Sequence, residues 1–347
     1  MATKRGSKPQ LRAVVHIGPI KTGSTAFTEQ MTASQERGDL SETIVYALPR
    51  EISLHNESRI VIPEHIRHLA PKLEWSRQSG ELRVAKNGSK YVLGARTYLD
   101  DLAHDLRASA KSNTTVFFVE EALSRRTGPG DLTSDLLARF DAVDYVFVAR
   151  AQQFIVKSAI SQRLKAASHP KARDARVSTF LSNENLANQF DFASILDRWE
   201  SRDPRVHVIV VPFLESDRGT QNLFYRILTA VGVRANLGEP VDSVGNVTPS
   251  RFEIAAIGLY KKVAFRSSRK RLRRDSLQFR AYEFARIALA MFARIIKSPR
   301  WEVHPQERKD IVEFYQPSNL SFREKLGAEA LSSEWTEWFR HAGIHDN

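Results

Sequence analysis

Lys21-Thr22-Gly23-Ser24-Thr25 is the stretch whose residue types and spacing could hold an anion and act on it. Gly23 lets backbone N–H groups come close to a ligand, Ser24 or Thr25 can cap the helix that follows, and Lys21 adds a point charge. The free N–H groups and positive dipole end of that helix attract phosphate. The order of residues narrows the ligand. A nucleoside-triphosphate loop reads G-x-x-x-x-G-K-[ST], with lysine behind the second glycine and a hydroxyl reserved for magnesium; here Lys21 precedes Gly23. Downstream, Glu120 and Glu121 are adjacent carboxylates. One of them can serve as a general base, or can cap the next turn or pair with Arg125 or Arg126. Arg150 and, eight residues on, Ser158 complete the set; each alone also reads as a surface residue of an amphipathic helix.

These side chains need elements that bring them to one edge. Ala13, Val14, Val15 and Ile17 form a short apolar run ended by Gly18-Pro19, as in an interior strand of a parallel sheet. The pattern predicts a helix from Thr25 to about Glu36, stopped by Gly38, and a second strand from Thr43 to Leu48 ended by Pro49. Residues 50–98 are polar, His-rich and poorly periodic, an insertion where an acceptor surface could lie. Within it His55, His65 and His68 match no metal-ligand spacing and read as solvated or capping side chains. Leu99, Leu102 and Leu106 mark a helix over Arg96 to Lys111. Thr114 to Val119 is a buried strand ending at the paired carboxylates, and carboxyl ends of central strands are where ligands bind in α/β sheets. Val143 to Ala149 is another, ending in Arg150 and followed by a helix through about Lys165. An amphipathic helix (Phe192 to Trp199), a β-branched strand (Val206 to Pro212) and a helix (Thr220 to Val231) closed by Gly232 follow. The fold class predicted is α/β, a central parallel sheet flanked by helices, with a helical C-terminal part.

Taken with the strand ending His16-Ile17-Gly18, the K-T-G-S-T order resembles the 5′-phosphosulfate loop of sulfotransferases that use PAPS (3′-phosphoadenosine 5′-phosphosulfate), particularly the bacterial members. A helix with D-R-W, a strand with V-P-F, a helix closed by V-G-V, Asn246 to Ile254, and Ser318-Asn319 before a basic helix are similar to that family in order and spacing. The resemblance covers about Leu11 to Leu48 and Thr114 to Leu326. Thr28 stands where the family often has Gln, and Val119 where its S-x-E element has serine. The resemblance implies a P-loop-type fold and in-line transfer of a sulfuryl group from PAPS to a hydroxyl or amine of a glycan, glycolipid or other small molecule, with no metal. It also implies roles: Lys21, Thr22, Gly23, Ser24 and Thr25 hold the 5′-phosphosulfate, Arg150 and Ser158 hold the 3′-phosphate, Lys21 neutralises charge on the bridging oxygen, and Glu121 takes the acceptor's proton. Two rivals stay open. One is a magnesium-dependent P-loop kinase or NTPase using Glu120 or Glu121 on its metal; the other is a non-enzymatic polyanion binder.

Hydrophobic residues are 42% and charged residues 27% of the 347, which excludes a disordered or fibrous class. Cysteine is absent, so no disulfide or thiolate-zinc framework exists. The N-terminus is basic and polar without a secretory apolar run, as expected of a cytoplasmic chain. Net charge is +12, and thirteen Lys or Arg against Asp275 and Glu283 between Lys261 and Arg300 account for nearly all of it. Lys261 to Arg274 is mostly charge and serine. Phe284, Ile287, Met291 and Ile295 then form an apolar helical stripe, widened by Leu289, Phe292 and Ile296. This stripe reads either as a core-facing surface or as a membrane-surface helix or platform for an acidic acceptor; it is too short and too charged to span a bilayer. The partners expected are the acceptor and, through 261–300, an anionic membrane surface, with no nucleic acid. The expected division is a flexible start (1–10), an α/β core (11–260) with an acceptor-side insertion at about 50–98, and a basic helical extension (261–347) packed on it.

Overall fold

The computed structural model describes residues 10–19, 22, 24–40, 44–46, 51–53, 59–61, 72–75, 82–85, 89–109, 113–120, 123–124, 128–165, 176–217, 220–241, 249–264 and 277–344. In chain order the elements are β1 (Leu11–His16), α1 (Ser24–Arg37), β2 (Ile44–Tyr46), β3 (Glu51–Ser53), β4 (Arg59–Val61), β5 (Lys72–Trp75), β6 (Leu82–Ala85), α2 (Ser89–Ser109), β7 (Thr114–Val119), α3 (Asp131–Leu137) and β8 (Ala142–Arg150). There follow α4 (Gln152–Lys165), α5 (Val177–Leu181), α6 (Glu184–Ala187), α7 (Phe192–Trp199), β9 (Val206–Phe213), α8 (Asn222–Ala230), α9 (Arg251–Ala264), α10 (Leu277–Ile295), α11 (Pro305–Leu326) and α12 (Ser333–His341).

The chain divides into two units. The first holds Met1–Arg150, Phe192–Ser243 and Ser332–Trp335; the second holds Ala151–Asp191, Val244–Leu331 and Thr336–Asn347. The boundary expected at 260/261 falls inside α9, which runs through it without a break.

The first unit is an α/β layer structure. Its sheet has the order β2-β7-β1-β8-β9, and every pairing is parallel. Central strands of such a sheet are covered on both faces, which is why β8 is buried over almost its whole length and reads as a near-continuous apolar run. One face packs Val14, Phe117, Val146, Val148 and Val211 against Phe27 and Met31 of α1 and Leu223, Phe224, Ile227 and Leu228 of α8. Phe27 makes edge contacts with Phe117 at 6.2 Å and Phe224 at 5.5 Å between ring centroids. On the other face Tyr145 meets Trp199 of α7 at 4.8 Å and Phe147 meets Phe192 at 5.3 Å. The polar break in β8, Asp144, is fully buried; Arg12 of β1 pairs with it, and His207 of β9 lies 3.0 Å from it through Nδ1.

Residues 50–98 hold more regular structure than their pattern predicts: antiparallel pairs β3-β4 and β5-β6, and an α2 that begins at Ser89, seven residues earlier than expected. His55, His65 and His68 lie outside the described residues.

The second unit is helical. Asn319 of α11 and Gln152 of α4 exchange side-chain amide bonds at 2.6 and 3.2 Å, Ser318 donates to Asp191 at 2.6 Å, and the Tyr315 hydroxyl donates to the Ala187 carbonyl. Ser318-Asn319 therefore does not precede a helix, as the resemblance suggested. It sits inside α11, directly after Pro317, and ties that helix to its neighbours.

Candidate active site

β1 is the centre of the arrangement. Its chain continues through α1 to β2 at one edge of the sheet, whereas the adjacent strand β8 continues towards β9 at the other. Two neighbouring parallel strands whose connections leave in opposite directions define a switch point, and the crevice outside their carboxyl ends is where open α/β sheets take ligands. The loop after β1, with Thr22 described in it, and Arg150, the last residue of β8, both stand at that end.

The start of the loop is built by close packing. Ile17 donates its N–H to the Val146 carbonyl at 2.9 Å, extending the sheet past the end of β1. Gly18 follows, and a Cβ there would lie 3.2 Å from His16 Cε1 and Nε2 and from the Val148 nitrogen. Only glycine fits without moving the imidazole or the β8 backbone. Thr22 is buried, and its hydroxyl donates to the Pro19 carbonyl at 2.8 Å. That bond closes the loop on itself, so the Thr22 hydroxyl, expected to face a phosphate, is engaged in holding loop shape. The helix begins at Ser24, which puts Ser24 and Thr25 inside the first turn of α1 and not at its cap. No acidic residue stands in that turn, so the helix itself places no carboxylate against its positive end. Lys21, Gly23 and Glu121 lie outside the described residues.

Beside the loop, Glu120 follows directly on β7; it is buried and donates its N–H to the His16 carbonyl at 3.0 Å. His16 was legible only as a polar break in an apolar strand. In the fold its ring is buried against Gly18, its Nδ1 has no hydrogen-bond partner among the described residues, and burial lowers its pKa to about 4. It is therefore a neutral imidazole at ordinary pH.

Arg150 is buried and donates from Nε to Glu215 at 2.9 Å, with its guanidinium carbon 4.8 Å from the centroid of Phe213, the residue opposite it in register on β9. Glu215 is a residue that the sequence did not single out; it is 65 positions away and joins Arg150 only because β8 and β9 pair. Ser158 belongs to the second unit, half-buried on α4 nearly two turns from its start.

No family model matches the chain, and no curated protein matches it. Among solved structures, a sulfotransferase domain from the curacin biosynthetic pathway is similar at 11% identity over 88% of this chain and 96% of that one, with a TM-score of 0.34.

Proposed function

We propose that the chain is a PAPS-dependent sulfotransferase that moves a sulfuryl group to a hydroxyl or amine of a small-molecule or glycan acceptor. The observation that carries this reading is the position of the K-T-G-S-T loop at the carboxyl end of β1, with Arg150 ending the adjacent strand β8, at the point where the two strands' connections diverge. Lysine ahead of the glycine speaks against a magnesium-triphosphate loop. An α1 first turn free of carboxylates suits the 5′-phosphosulfate end of the substrate, and a buried arginine suits its 3′-phosphate.

In this reading the acceptor oxygen or nitrogen attacks sulfur, the bond from sulfur to the 5′-phosphate oxygen breaks, and adenosine 3′,5′-bisphosphate leaves. The acceptor's proton passes to Glu121. Lys21 offsets the negative charge that grows on the departing oxygen, while N–H groups of the loop and of the first turn of α1 hold the 5′-phosphate. Most of the rate effect then comes from positioning and charge stabilisation. Incubating the full chain with sulfur-labelled PAPS and a panel of hydroxyl and amine acceptors tests this: label should move to an acceptor as adenosine 3′,5′-bisphosphate appears. Magnesium-dependent turnover of ATP, with PAPS untouched, would instead establish the kinase or NTPase rival.

A further inference from the structure

The apolar stripe of α10 faces outward. Phe284, Ile287, Met291 and Ile295 follow one another at spacings of three and four, and they are 77, 51, 60 and 75% exposed. Phe292 and Ile296 beside them are also exposed. The opposite side of the helix does the packing. Buried Tyr282 clusters with Ile257 and Tyr260 of α9 and with Leu289, and its hydroxyl donates to the Leu164 and Lys165 carbonyls at 3.1 and 2.7 Å; Ala293, three turns on, is buried too. A periodic face of this size turned to solvent marks an interaction surface.

Charge selects the occupant. Arg280, Arg294, Lys297 and Arg300 are exposed around the stripe, and Glu283 is the only acidic residue in the α10 sequence. A second copy docking through this face would bring two basic rims together, which repel. An anionic lipid surface matches both parts of the pattern, with phosphate headgroups meeting the basic rim and the acyl boundary taking the apolar stripe. Among the described residues no helix is long and apolar enough to cross a membrane. We infer that α10 is an interfacial helix that seats the protein on anionic membranes, with Phe284, Met291 and Ile295 entering the headgroup and acyl boundary.

The chain has no cysteine, so Met291→Cys gives a single site for an environment-sensitive fluorophore. The labelled full chain should show a blue shift and brightening with phosphatidylcholine vesicles containing about a third phosphatidylserine, and none with phosphatidylcholine alone. High salt should reverse the change. A control label at exposed Glu36 should stay aqueous throughout. Replacing Arg280, Arg294 and Lys297 together by Gln should weaken vesicle affinity about tenfold or more while the thermal midpoint holds. No spectral change with anionic vesicles, an equal change with neutral ones, or a label already shielded in a lipid-free dimer would each overturn the inference. The last result would assign the face to a second copy.

Discussion

Arg150 and Glu215 meet at the carboxyl end of the sheet, Nε to Oε1 at 2.9 Å, with the arginine side chain 8% and the glutamate 23% exposed. A largely buried guanidinium at a switch point is held by a carboxylate that a phosphate could relieve or share. Replacing Glu215 by Ala removes that carboxylate and should lower stability by about 1–3 kcal/mol, less than a fully buried pair because water reaches the glutamate. If Arg150 meets the 3′-phosphate, adenosine 3′,5′-bisphosphate should recover part of that loss. Its thermal shift, measured at saturation, should then be larger in Glu215→Ala than in the unaltered chain, while adenosine 5′-phosphate shows no such difference. Equal shifts in both proteins would separate Arg150 from the ligand.

His16 makes stability depend on pH. Its folded pKa of about 4 lies below its ordinary 6.5, so between those values the unfolded chain binds a proton that the folded chain refuses. Stability from this group is therefore fully present above pH 6.5 and is lost as pH falls towards 4, by roughly 3 kcal/mol in total. Urea unfolding across this range should show that slope, and His16→Leu should flatten it. Parallel profiles for the two proteins would mean that the imidazole takes up its proton as readily in the folded chain as in the unfolded one.

Local patterns carried most of the sheet. Thr114 to Val119 emerges as β7 with the predicted ends, because a β-branched and aromatic run bounded by polar residues leaves little choice. Pairings between distant segments were not legible. Glu215 lies in a short polar turn with nothing local to connect it to Arg150, and Ser318-Asn319 took its meaning from spacing alone, whereas its partners Asp191 and Gln152 come from elsewhere in the chain. The α10 stripe shows a third limit. Periodicity establishes that Phe284, Ile287, Met291 and Ile295 share a face, but only the packing of Tyr282 on the other side decides that this face points outward.

Lys21→Ala should lower turnover far more than it weakens PAPS binding. In the proposed reaction the charge that it would offset grows as the sulfur–oxygen bond breaks, and only interactions stronger in the transition state speed the step. Single-turnover kinetics beside equilibrium binding would separate the two effects. Unchanged turnover with a raised KM for PAPS would make Lys21 a binding residue.

Glu121→Gln preserves size and hydrogen bonding but removes the proposed base, so turnover should drop by about 100-fold or more with PAPS affinity nearly unchanged. Glu120→Gln should act differently. Its side chain is buried at the end of β7, and its replacement should register chiefly in thermal stability. Comparing turnover of the two variants assigns the base; a larger loss from Glu120→Gln would move the role to that residue.

The central claim, that this loop and Arg150 serve PAPS and not a nucleoside triphosphate, is tested most directly by titration calorimetry of the full chain without added metal, comparing adenosine 3′,5′-bisphosphate with adenosine 5′-phosphate. Losing the 3′-phosphate should cost about 2–5 kcal/mol, roughly 30-fold or more in affinity, and Arg150→Ala should abolish most of that preference. Equal affinity for the two nucleotides, or tight binding only of ATP with magnesium, would contradict it.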